Sequence, residues 1–313
     1  MMGTRLRRHD DRLSALPDAT LAHILSHLST LEAARTSVLS RRCNRVHASV
    51  PVVDLVHDGN RGRRFSRTRT CFDHQLLRSL RYKGGLPPPD KSLFLSLANH
   101  TAVTALTVDI CECIDEKKPH EVATVTRLVA ACANLTFLHL ALRPAMVYRS
   151  SLFTNALRGL SRLSHLELKG CLPSDHSVCS VAVMLQNTPN LEVLSLFPLL
   201  PDPPQKKKAR RYISDEDDND KNGDDYSGNV LVLVPKRVTS IAISCFEQKL
   251  RRVNIVGYRG RLMERMLAKF LLSKATALEE FSVSLPPGRA PQHKDDMELT
   301  YWRANHRTKV TCA

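Results

Sequence analysis

Three groups of residues stand at spacings that chemistry uses. His23 and His27 are four apart, the spacing that sets two imidazoles on one helix face for a metal ion. The residue after His23 is Ile24, where an H-E-x-x-H metalloprotease carries its Glu base, and the two imidazoles lie opposite an apolar stripe. We read them as a solvent-facing pair. Cys111 and Cys113 form a C-x-C with no second pair at ligand spacing, so no zinc site is expected there. Gly257-Tyr258-Arg259-Gly260, with basic residues nearby, has the form of a loop that clamps a nucleic-acid backbone. In that architecture the loop joins two helices, whereas Leu250, Val253 and Ile255 precede it here with strand spacing. A Gly pair turning a strand into a helix is the simpler reading. Basic nucleic-acid binding through 257–260 stays open as the alternative function.

The sequence holds no phosphate-binding P-loop, no G-x-S-x-G elbow, no H-E-x-x-H and no dinucleotide fingerprint. A non-catalytic chain without a cofactor is therefore expected. The net charge of +15 suits acidic partners, but the cations are scattered without interleaved aromatics, as on a solvated basic surface. Apolar residues make up 42%, in the range of globular chains, so a sizeable core is available. The longest apolar run, Leu128 to Ala133, is too short to span a bilayer, and no signal-type apolar segment opens the chain. Nine cysteines, an odd number, suit reduced and mostly buried thiols. These features point to a cytoplasmic or nuclear protein away from membranes.

The elements begin with Asp11 to Val53. Pro17 and Asp18 suit a first helical turn, because Pro gives up only an N–H that would be orphaned there. Leu21, Ile24, Leu25 and Leu28 form one apolar stripe. Ser29-Thr30-Leu31-Glu32 is a capping box that ends this helix and starts a second, on which Leu31, Ala34, Val38 and Leu39 continue the apolar spacing. Two such short helices cannot bury both faces alone, which implies a partner.

Residues Leu16, Pro17, Leu21, Ile24, Leu25, Leu28, Val38, Leu39, Ser40, Arg41 and Arg42 fall on the pattern of the F-box. The DRLSALPD opening and the RTSVLSRR run resemble the large plant family that couples this motif to leucine-rich repeats. The resemblance implies docking of a Skp-type adaptor, and through it a cullin–RING ubiquitin ligase, by Leu16, Pro17, Leu21, Ile24, Leu25, Leu28, Val38, Leu39 and Arg41. It departs from the family pattern at Cys43, where Trp is usual, and at Thr20, where Leu is common. Loss of a Trp removes a surface of about 150–250 Å².

Farther along, an L-x-x-L-x-L pattern returns as Leu77/Leu80/Tyr82, Val103/Leu106/Val108, Leu135/Leu138/Leu140, Leu163/Leu166/Leu168, Leu191/Leu194/Leu196, Leu250/Val253/Ile255 and Leu278/Phe281/Val283. Helical segments at 121–133, 151–160, 177–187 and 262–274 alternate with it. The spacing lies near that of leucine-rich repeats, although the Asn usual in each unit is missing. The expected fold is α/β: F-box helices over 11–50, then an irregular leucine-rich-repeat solenoid with a parallel inner sheet and outer helices. The repeats are expected over 51–200, with a charged disordered insertion at 201–229 and C-terminal repeats at 230–310. The insertion carries KKKARR at 206–211, a candidate nuclear-import signal, and Ser214 before an acidic run, a candidate kinase site. Residues 250–310 resemble the FBD segment that closes many plant F-box/leucine-rich-repeat proteins. The polar row Arg81, Thr107, His139, Glu167, Ser195, Asn254 and Ser282 would line the concave face and bind a target. The function that follows is a substrate receptor of a Skp–cullin–F-box ubiquitin ligase, or an F-box scaffold outside a ligase.

Overall fold

A computed structural model of the chain describes residues 15–28, 30–37, 39–48, 52–57, 77–85, 102–113, 119–143, 151–171, 175–199, 232–289 and 293–313. Val38, the Lys206–Arg211 run, Ser214 and the insertion at 201–229 lie outside these residues. Three short helices open it: α1 (Asp18–Ser26), α2 (Thr30–Ser37) and α3 (Arg41–Ala48). Sequence spacing anticipates two helices. The chain breaks instead at Leu39, which lies between α2 and α3, and the Ser40 hydroxyl accepts the Cys43 N–H at 2.9 Å as an N-cap. Leu25, Ala33 and Val46 are buried together, with Leu21, Ala22 and Leu28 packed against them. Across the bundle, the Arg42 guanidinium bonds the Asp18 carboxylate at 2.7 Å and the Leu16 carbonyl, so the third helix holds the turn that starts the first.

The remainder is one parallel sheet, which among the described residues has nine strands paired in chain order. They are β1 (Val52–His57), β2 (Ser79–Gly84), β3 (Ala105–Cys113), β4 (Phe137–Arg143), β5 (His165–Cys171), β6 (Val193–Leu199), β7 (Arg252–Val256), β8 (Glu280–Ser284) and β9 (Lys309–Cys312). Between them run α4 (Pro119–Ala131), α5 (Ser151–Arg158), α6 (Asp175–Gln186), α7 (Lys236–Thr239), α8 (Ser244–Gln248), α9 (Leu262–Lys274) and α10 (His293–Tyr301). Parallel strands need such crossovers, since a hairpin can join only antiparallel neighbours.

Alternation along each strand decides which side chains go inward. Leu80, Leu106, Leu138, Leu166, Leu194, Val253, Phe281 and Val310 stand in register as one inner row, and Tyr82, Val108, Leu140, Leu168, Leu196, Ile255, Val283 and Cys312 as the next. The first apolar residue of each motif, such as Leu135, Leu163 or Leu191, precedes its strand. It sits fully buried at the corner where the crossover turns into the sheet. Crossover helices cover the same face with Val129, Leu157, Leu185, Leu267 and Leu271, which join the strand residues in one continuous core. Cys132 and Cys245 belong to that core, and burial pushes their thiols up to about 11 and about 12.

Two consequences are measurable. Leu166→Ala, in the middle of the inner row, should cost about 2–5 kcal/mol in urea denaturation, whereas Lys169→Ala on the outer side of the same strand should stay within about 0.5 kcal/mol. Brief alkylation of the native chain near neutral pH should leave Cys132 and Cys245 unmodified in a mass-spectrometric map, because the thiolate is the nucleophile.

Candidate functional site

The residues expected to dock an adaptor divide by exposure. Leu25 faces the helices' own core at 8% exposure, with Leu21 and Leu28 half-buried against it, so these three hold the bundle together more than they meet a partner. Ile24 is 41% exposed and Leu39 77%, and Pro17 and Arg41 are also exposed. Leu16 is half-buried, its carbonyl taken by Arg42. Within the stripe read as one docking surface, Leu25 is internal, Leu21 and Leu28 are half-buried and Ile24 is open, and among the described residues Pro17, Ile24 and Leu39 supply outward apolar surface. Cys43 is half-buried on α3. One turn beyond it, His47 is buried, and desolvation lowers its pKa, favouring a neutral imidazole inside the bundle.

The outer face of the sheet carries the predicted polar row. Arg81, Thr107, His139, Glu167, Ser195, Asn254 and Ser282 are direct cross-strand neighbours, extended by Asp54 at one end and Thr311 at the other. They bond one another. His139 Nδ1 lies 2.8 Å from Glu167 Oε2, Arg81 lies 3.9 Å from Asp54, Asn254 donates to the Ser195 hydroxyl at 3.3 Å, and Ser282 donates to Asn254 Oδ1 at 2.6 Å. The row is thus not uniformly open, for Ser195 is buried at 7% exposure. Apolar side chains flank it: Phe137 and Val193 on one side, and Phe197 on the other, with its ring centroid 6.2 Å from that of His139.

The glycine loop joins β7 to α9. Gly257 and Gly260 take positive φ values of 79° and 69°, which any side chain would make costly. The loop amides are already engaged. Gly257 and Tyr258 donate to the Ser284 carbonyl at 2.8 and 2.9 Å, and Arg259 and Arg261 donate to the Glu264 carboxylate at 2.7 and 3.3 Å. A strand-to-helix turn with those four donors satisfied inside the protein lacks the free amides of a phosphate clamp. Glu264 is buried, and desolvation raises its pKa against the opposing pull of the Arg259 and Arg261 amides and charges. Nothing in its residue type marked it from sequence. Its position three residues after Arg261, the helix N-cap, was the available signal.

Comparison with known proteins identifies two segments. The F-box domain model matches residues 13–47 and the FBD model matches residues 239–283. An F-box/FBD/LRR-repeat protein of Arabidopsis thaliana is 47% identical over 53 residues, 17% of this chain and 12% of the relative. A second F-box/FBD/LRR-repeat protein of that plant is 51% identical over 53 residues, 17% of this chain and 11% of its own length. An F-box/LRR-repeat protein from the same organism reaches 58% over 45 residues, 14% and 10% of the two chains. The chain thus carries an F-box segment and an FBD segment like those of plant F-box/FBD proteins. The matched segments span only about an eighth or less of the relatives' length. The F-box match takes in α1, α2 and α3 up to His47, so the third helix belongs to the motif. The FBD match takes in α8, β7, the glycine loop, α9 and β8 to Val283, and stops before α10 and Trp302, which the sequence resemblance had included.

The sign of the Glu264 shift gives a test. A carboxyl raised by burial adds most to stability below its unfolded-state pKa, and that contribution falls as pH rises through the folded value. The neutral Glu264→Gln side chain has no such dependence. The stability of the unmutated chain relative to Glu264→Gln should therefore decrease as pH rises above the ordinary carboxyl range, as read by denaturant unfolding.

Proposed function

We propose that this protein is the substrate receptor of a Skp–cullin–F-box ubiquitin ligase, acting in the cytoplasm or nucleus. The observation that carries the reading is the F-box itself. Among the described residues its three helices pack around Leu25, Ala33 and Val46 and present Ile24 and Leu39 to solvent. A bundle that leaves large aliphatic groups in solvent is suited to bury them against a partner. The F-box family's partner is the Skp-type adaptor. In this reading, helix packing on the adaptor links the chain to a cullin–RING enzyme.

The parallel strands and their crossovers are read as units of an irregular leucine-rich-repeat solenoid running on through the FBD segment. The polar row from Arg81 to Ser282, with Phe137, Val193 and Phe197 beside it, forms the target-holding face. The chain then contributes proximity, which raises the effective concentration of a target near the transferring enzyme, and no bond-making chemistry of its own.

Co-purification with a recombinant Skp-type adaptor tests the docking step. Ile24→Asp and Leu39→Asp place a charge at exposed positions and should remove the association while leaving helical circular dichroism unchanged. Leu25→Asp is the less informative variant, because it breaks the bundle's own core. No association by the unmutated chain would sink the reading.

A further inference from the structure

We infer that His23 and His27 on the first F-box helix form a two-imidazole chelate for a divalent late transition metal, with zinc as the fitting ion. Both side chains are exposed and one turn apart, His23 on α1 and His27 at its C-cap. Their Nε2 atoms are 3.4 Å apart and their rings meet edge to face at 86°, with centroids 4.8 Å apart.

The separation suits a metal pair better than a short hydrogen bond between the rings. Nitrogen donors sit within about 3.2 Å of their acceptors in an ordinary hydrogen bond, so 3.4 Å is a long one. Two nitrogens at zinc–nitrogen distances of about 2.0–2.1 Å, subtending a tetrahedral angle, stand about 3.3–3.4 Å apart. The measured value fits that bite. An octahedral right angle needs about 2.9 Å, which favours tetrahedral zinc over metals that prefer square or octahedral sites.

The surroundings suit the site. The Ser26 hydroxyl bonds the His23 carbonyl at 2.7 Å, and the His27 N–H returns to the Ile24 carbonyl at 3.2 Å, so the backbone of this last helical turn is held. Among the described residues no group of three or more His, Cys, Asp or Glu could hold a metal, so water or an incoming group completes the coordination. An ion shared by His23 and His27 would tie the end of α1 beside exposed Ile24. Binding to the folded form alone stabilises it in proportion to metal occupancy.

Isothermal titration of the full chain with zinc chloride, after capping accessible thiols with iodoacetamide, reads the site directly. One bound zinc should be lost, or weakened at least about tenfold, in both His23→Gln and His27→Gln. Zinc should also raise the melting temperature of the unmutated chain and not that of either variant. Both positions are exposed and Gln favours helix, so circular dichroism should show the fold retained. Zinc binding unchanged in either variant, or no zinc uptake by the unmutated chain, would overturn the assignment.

Discussion

The sheet depends on one repeated hydrogen-bond arrangement at the corner where each crossover joins its strand. The Arg78 carbonyl accepts the N–H groups of Thr104 and Ala105 at 2.9 and 3.0 Å, and the Thr104 carbonyl accepts those of Thr136 and Phe137 at 2.8 and 3.1 Å. The same forked bond passes from Thr136 to Ser164 and His165, from Ser164 to Glu192 and Val193, from Glu192 to Arg251 and Arg252, and from Arg251 to Glu279 and Glu280. Thr104, Thr136 and Ser164 add their hydroxyls to the preceding carbonyl. Each unit therefore sets the register of the next before any strand pairing begins. Once the register is set, alternation places every inner-row residue in the core, and a slip by one residue would turn them all outward.

That arrangement explains why the chain tolerates uneven connections. Leu191 and Leu250 begin successive motifs with the charged insertion between them, yet Glu192 accepts Arg251 and Arg252 as the other corners do. The added length costs loop-closure entropy that grows only logarithmically, while corner and core keep their geometry. Surface chemistry can then vary on the outer face without disturbing the fold. The His139–Glu167 pair and the Ser195–Asn254–Ser282 chain are bonded across strands that the inner rows have already aligned.

The F-box contrasts with this. Among the described residues its helices pack around Leu25, Ala33 and Val46 and are joined by a long-range clamp, Arg42 to Asp18 and Leu16. A long continuous core gives the sheet stability to spare, whereas the bundle keeps apolar surface in reserve. The FBD segment belongs to the sheet by that measure: Val253, Ile255, Phe270, Leu271, Phe281 and Val283 are part of the same core as the earlier strands.

Residue periodicity determined seven of the strand positions, four of the helical crossovers and which residues form the outer row, because buried faces impose a period of two or 3.6 on the sequence, whereas the F-box resemblance rested on particular residues such as Leu16-Pro17 and the RTSVLSRR run. Val50, Val53 and Leu55 carry the same spacing just after the F-box, a legible signal for β1 that its position beside another motif obscured. Strand β9 was not legible, since Arg307 stands where the other motifs have their first apolar residue. Only the tertiary structure decided which apolar F-box residues turn inward: Leu25 and Ile24 are equally apolar neighbours, and packing against Ala33 and Val46 is what separates them. It also decided that Ser195 is buried, that Glu264 secures the glycine loop, and that two histidines one turn apart bring their nitrogens to 3.4 Å. Those outcomes depend on partners distant in the chain or on side-chain rotamers, and spacing records neither.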